Sequence, residues 1–111
     1  MPRDFRVYLE DILEATRKIT AYTCSLSKAA FLVDEKTIDA VVRNLEVIGE
    51  AVKNLPEDLR AQHSVVEWKK IAGLRDILIH EYFGLDAEIV WDIVQNKVPV
   101  LDREVRTMLN E

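Results

Sequence analysis

The sequence predicts an all-α fold, an antiparallel bundle of four main helices with shorter helical pieces between them. Two observations carry that prediction. Only three glycines and three prolines punctuate the chain, and no stretch alternates apolar and polar residues long enough to read as a strand. Apolar residues recur instead at spacings of three and four almost throughout, the period of a helix with one buried face. No hairpin dipeptide such as Asn-Gly interrupts them.

Each element follows from that period and its punctuation. Phe5, Leu9, Ile12, Leu13, Thr16 and Ile19 share one face of a first helix. Ser27 is a good N-cap for a short helix that ends near Val33. Ile38, Val41, Val42, Leu45, Ile48, Val52 and Leu55 mark a second long amphipathic helix. Pro56 stops it and can open a single turn through Leu59. Ser64-Val65-Val66-Glu67 has the form of a capping box, with Ser64 as N-cap and Glu67 at the third helical position. The helix it starts should carry Trp68, Ile71, Leu74 and Leu78 and stop at Gly84. Asp86 can cap the next, whose stripe runs through Ile89, Val90, Ile93 and Val94 to Val98, Leu101, Val105 and Met108. Pro99 either kinks one long last helix or begins a separate one.

Composition bounds the rest. A chain of 111 residues, 49% apolar and 32% charged, is expected to form a single globular domain over 1–111. No apolar run approaches the roughly 18 residues that cross a bilayer. Acidic residues interrupt the first positions, MPRDFRVYLEDIL, so no secretion signal is expected. Cys24 stands alone, which rules out an intrachain disulfide and fits a cytoplasmic protein. The net charge of −5 argues against binding nucleic acid by bulk attraction. Action on RNA would require a local cluster of cations, or two protomers pooling theirs.

The chemistry concentrates in Arg75-Asp76-Ile77-Leu78-Ile79-His80-Glu81-Tyr82. Asp76 and His80 are one helical turn apart, so the carboxylate can accept a hydrogen bond from the imidazole and fix its tautomer. Arg75 is about 140° round an ideal helix from His80, whereas Arg75 and Tyr82 share a face. The two faces suggest a site completed by a second copy across a twofold axis, hence a homodimer. A guanidinium fork stabilises charge on a phosphate, and an imidazole near its own pKa moves protons at neutral pH. Together they suffice for attack of a ribose 2′-hydroxyl on the adjacent phosphate without a metal or other cofactor. The bland alternative is an Arg–Asp–His network at a helix end.

Other candidates weigh less. His63 reads as a solvent-exposed loop histidine. Neither histidine has the Glu-x-x-His spacing of a di-iron bundle, and no His-Glu-x-x-His, cysteine cluster or phosphate loop occurs, so no metal site is expected. Arg43, Glu46, Glu50 and Lys53 form a polar stripe whose spacing favours mutual ion pairs on a solvated face. The alternative is that Arg43 and Glu46 line a cleft beside the Arg75–His80 helix. Gly49, in Ile48-Gly49-Glu50-Ala51, would let another helix approach closely. Trp68 and Trp91 read as core or interface anchors rather than base-stacking platforms.

Taken together, these residues resemble the HEPN superfamily and, within it, the HepT toxins of toxin–antitoxin pairs. The resemblance runs almost end to end. It covers Tyr8-Leu9-Glu10-Asp11-Ile12, Phe31-Leu32, Arg43-Asn44-Leu45-Glu46, Ile48-Gly49-Glu50-Ala51 and Trp68. It continues through Leu74-Arg75-Asp76 to His80, Tyr82-Phe83-Gly84, Val90-Trp91 and Pro99. The family signature Arg-x4-His-x-Tyr reads Arg75, His80, Tyr82. The resemblance implies a dimeric helical bundle whose Arg75 and His80 motifs meet in an interfacial cleft, and a metal-independent ribonuclease. It also implies an MntA-like nucleotidyltransferase antitoxin as partner, which silences the toxin by adding AMP to Tyr82. A non-catalytic module that binds a nucleotide or substrate for such a nucleotidyltransferase is the other reading the family allows.

Overall fold

The computed structural model describes residues 4–74 and 86–111, and all regular structure among them is helical. Helix α1 spans Phe5–Thr23, α2 Lys28–Leu32, α3 Glu35–Lys53, α4 Glu57–Ala61 and α5 Trp68–Ala72. After residue 86 come α6, Ala87–Asp92, a π-helical turn over Ile93–Lys97, and α7, Val98–Leu109. The predicted all-α antiparallel bundle is what forms. None of these helices is long and apolar enough to cross a membrane.

The helix starts follow the short polar residues that sit there. Asp4 accepts from the Arg6 N–H, Ser27 from Ala30, Asp34 from Thr37 and Asp86 from Glu88, each satisfying a backbone donor the helix itself leaves unpaired. Ser27 and Asp86 are the caps expected from the sequence. Asp34 also accepts from the Thr37 hydroxyl, which holds its carboxyl below the usual range.

Helices α1 and α3 pack along each other, α7 lies against α1, and α5 lies against α3. Leu9, Ile12 and Ile19 of α1 meet Val41, Leu45, Ile48 and Val52 of α3, with Leu101 and Val105 of α7, in one continuous core. Phe5 begins the predicted α1 stripe but, as the first residue of the helix, is over one-third exposed. Thr16 is buried on that stripe. Its hydroxyl lies 2.8 Å from Asp102 Oδ1 and 2.9 Å from the Leu13 carbonyl, so its single proton ties α1 to α7 or to its own helix. Phe31 is fully buried and meets the half-buried Trp91 ring at 5.1 Å, joining α2 to α6.

The sequence left Pro99 two options, and the chain keeps one helix. Proline cannot donate an N–H and crowds the preceding turn. The turn before it widens, so that the Val98 N–H reaches back five residues to the Ile93 carbonyl. Pro99 then sits in the first turn of α7.

Two expectations fail in the stretch between α4 and α5. Ser64 does not cap a helix: α5 begins at Trp68, preceded by Glu67, whose side chain caps nothing. The Glu67 carboxylate is drawn away to Lys70 Nζ at 2.8 Å and Lys97 Nζ at 2.5 Å. Nor is His63 exposed. It is buried, with Nδ1 2.9 Å from Glu104 Oε2. Its Nε2 lies 2.9 Å from Glu111 Oε1, at an angle too poor for a hydrogen bond. The His63 carbonyl accepts from the buried Trp68 Nε1 at 3.0 Å and from the Val66 N–H at 3.2 Å. This turn is therefore folded around His63 and delivers Trp68 to the core, which leaves Ser64 outside.

Candidate active site

The motif residues Arg75, Asp76, His80 and Tyr82 lie outside the described residues, as do Leu78 and Gly84. What the structure describes is the frame from which the motif departs, one residue after Leu74.

That frame is anchored on its core side. Trp68 and Ile71 of α5 are buried. Beyond them, Leu74 packs with Leu45, Ile48, Ile93 and Leu101 around a gap of only about 10 Å³, at the lower limit for a single water. Close packing of this kind holds the end of α5 in one position relative to α3 and α7.

The outer side of α5 is open and cationic. One groove, of about 720 Å³, runs between α4 and α5 and is walled by Glu57, Arg60, Ser64, Trp68, Lys69 and Lys70. A second, of about 470 Å³, has an apolar floor of Ile71, Leu74 and Ile93 with Lys69, Lys70 and Lys97 at its rim. Glu67 stands between Lys70 and Lys97, and those ammonium groups, Lys70 foremost, hold its carboxyl down to about 2. Glu67 also holds the Lys97 ammonium above its ordinary range. This cluster has three lysines to one glutamate in a chain whose net charge is −5. It is the local reversal of sign that action on RNA would require.

Of the expected cleft-lining pair, Arg43 is exposed and Glu46 half-buried on α3. The predicted Arg43–Glu46 ion pair does not form among the described residues, as solvent screening and side-chain entropy readily allow. Gly49 is buried within α3, as its small size suggests. Trp68 and Trp91 are both packed, Trp68 in the core and Trp91 on Phe31, in keeping with the anchor reading. Sequence reasoning passed over Arg60 and Lys97 and read Glu67 only as part of a capping box. The adjacent pair Lys69-Lys70 was the visible signal for that cluster.

Comparison with known proteins matches residues 12–108 to the family model described as ribonuclease HepT-like. A Methanocaldococcus jannaschii protein provisionally named RNase is 51% identical over the whole of this chain and 93% of its own length. One from Caldanaerobacter subterraneus subsp. tengcongensis, also provisionally named RNase, is 44% identical over 96% of this chain and 95% of its own. A Thermococcus cleftensis protein provisionally named ribonuclease HepT is 45% identical over 91% of this chain and 92% of its own. No solved structure matches significantly.

Proposed function

The chain belongs to the HepT-like ribonuclease family, and from that premise we propose that it is a metal-independent endoribonuclease, the toxin of a toxin–antitoxin pair. The observation that carries the reading is the intact Arg75-x4-His80-x-Tyr82 signature, which falls inside the family-matched residues. The cationic outer side of α5, immediately upstream of the signature, supports it.

In this reading the ribose 2′-oxygen forms a bond to the adjacent phosphorus and the bond from phosphorus to the 5′-oxygen breaks. His80 moves the proton, and the Arg75 guanidinium stabilises the charge on the pentacovalent transition state. Asp76 fixes the imidazole tautomer. Because Arg75 and His80 diverge by about 140° on an ideal helix, two protomers related by a twofold axis bring the two groups together. Silencing proceeds by attack of the Tyr82 phenol oxygen on the α-phosphate of ATP, with loss of pyrophosphate, catalysed by an MntA-like nucleotidyltransferase antitoxin. The phosphate then attached to Tyr82 competes with RNA for Arg75.

The test is the chemistry of the ends. Purified protein incubated with RNA in excess EDTA should yield a 2′,3′-cyclic phosphate, or its hydrolysis product, and a 5′-hydroxyl. Products with a 5′-phosphate and a free 2′,3′-diol would contradict the mechanism.

A further inference from the structure

We infer that the groove between α4 and α5 binds the phosphate backbone of single-stranded RNA through Arg60, Lys69 and Lys70, a subsite that leads into the Arg75–His80 motif. The inference rests on the ribonuclease reading and adds to it the place where the substrate strand lies outside the reacting bond.

The groove is built as an anion site. The Arg60 Nε is shut off from solvent and has no hydrogen-bond partner. Arg60 also lines the groove, and a guanidinium that has given up hydration on one edge gains by meeting a phosphate with its other donors. Lys69 has no carboxylate partner among the described residues, whereas Lys70 shares Glu67 with Lys97. Ser64, released from the capping role its sequence suggests, places a hydroxyl on the same wall. Glu57, at the start of α4, and Glu67 also line the groove, so its three cations face two carboxylates and its positive excess is small.

Position favours RNA over an acidic protein surface. Lys70 precedes Arg75 by five residues, and the end of α5 is held by the packing of Ile71 and Leu74. A strand seated along α5 therefore runs toward the first residue of the motif. The rest of the chain carries a net negative charge that repels a polyanion. The cationic side of α5 is thus where a strand is admitted.

The experiment measures binding and cleavage together. A labelled single-stranded RNA with 2′-O-methyl riboses, which cannot be cleaved by its own 2′-oxygen, is titrated with the protein from about 50 to about 200 mM salt. Wild type is compared with Arg60→Gln/Lys69→Gln, with Lys69→Gln alone, and with Lys36→Gln on α3 as a control away from the groove. Removing one cation that neutralises a phosphate should flatten the slope of log affinity against log salt by about 0.7, so the double variant should lose about sevenfold less affinity than wild type across that range. On cleavable RNA its defect should fall on KM rather than kcat, and the exposed Lys69 gives the same sign if the partly buried Arg60 proves needed for folding. Wild type that cleaves RNA while both variants keep its slope and KM would overturn the inference and leave the ribonuclease reading standing. Wild type that neither binds nor cleaves RNA would overturn both.

Discussion

Replacing Trp68 with Phe tests how α5, and with it the start of the motif, is held. Trp68 is 7% exposed, and its indole N–H donates to the His63 carbonyl at 3.0 Å. Phenylalanine keeps most of the ring burial but lacks that donor and the second ring. The smaller buried surface costs about 1 kcal/mol, near the value of one buried methylene. The missing hydrogen bond costs about 1 kcal/mol more. It stays near that figure because the His63 carbonyl still accepts from the Val66 N–H at 3.2 Å and is not orphaned. The sum is about 2 kcal/mol. At about 2.1 cal/mol/K of unfolding entropy per residue, each kcal/mol moves Tm of a chain this size by about 4 °C, so a fall of about 8 °C is expected. Thermal unfolding followed by circular dichroism at fixed concentration measures it. Phe31→Ala provides the scale, since a fully buried Phe replaced by Ala costs about 3–5 kcal/mol. A Trp68→Phe shift well short of that fall, under about 2 °C, with a large shift for Phe31→Ala, would refute the claim that Trp68 and the His63 turn anchor α5.

Thr16→Val should lower stability by about 1–2 kcal/mol, because the buried hydroxyl that bonds Asp102 or the Leu13 carbonyl is removed, and a urea titration should show a lower midpoint at unchanged slope. Glu67 adds a dependence on pH. Its folded pKa, about 2, lies below the ordinary 4.5, so its contribution is complete above 4.5 and is lost as pH falls from there toward 2. Glu67→Gln should therefore make Tm fall less steeply across that window than in wild type, and an unchanged profile would count against the Lys70–Glu67–Lys97 clamp. Incubated with a nucleotidyltransferase of the kind proposed as its antitoxin, ATP and magnesium, the protein should gain mass in whole AMP units, and Tyr82→Phe should gain none. A gain that persists in Tyr82→Phe would place the modification elsewhere.

The fold was legible wherever structure depends on neighbours in sequence. Apolar period marked α1, α3 and α7, and Ser27 and Asp86 cap helices because a side-chain oxygen reaches a backbone N–H two or three residues on. The misreadings share one cause, a partner far along the chain. His63 looked exposed because nothing near it in sequence satisfies it; Glu104, 41 residues away, does. The capping box failed because the Glu67 carboxylate is held by Lys97, 30 residues on, as well as by its neighbour Lys70. Pro99 could be read either way until the widened turn before it decided the outcome. At the candidate site, Arg75, His80 and Tyr82 were legible from spacing and resemblance alone. Arg60 was not, since it joins Lys69 and Lys70 only once the turn around His63 folds α4 beside α5.

Cleavage of RNA in excess EDTA by wild type, His80→Ala and Arg75→Ala tests the central claim most directly. Wild type should cleave with the chelator present. Each variant, with its helix content and Tm verified, should lose about 10²–10⁴-fold in rate, the range for proton transfer in the first and for charge stabilisation in the second. Full activity in a folded His80→Ala protein, or activity in wild type that EDTA abolishes, would contradict the account.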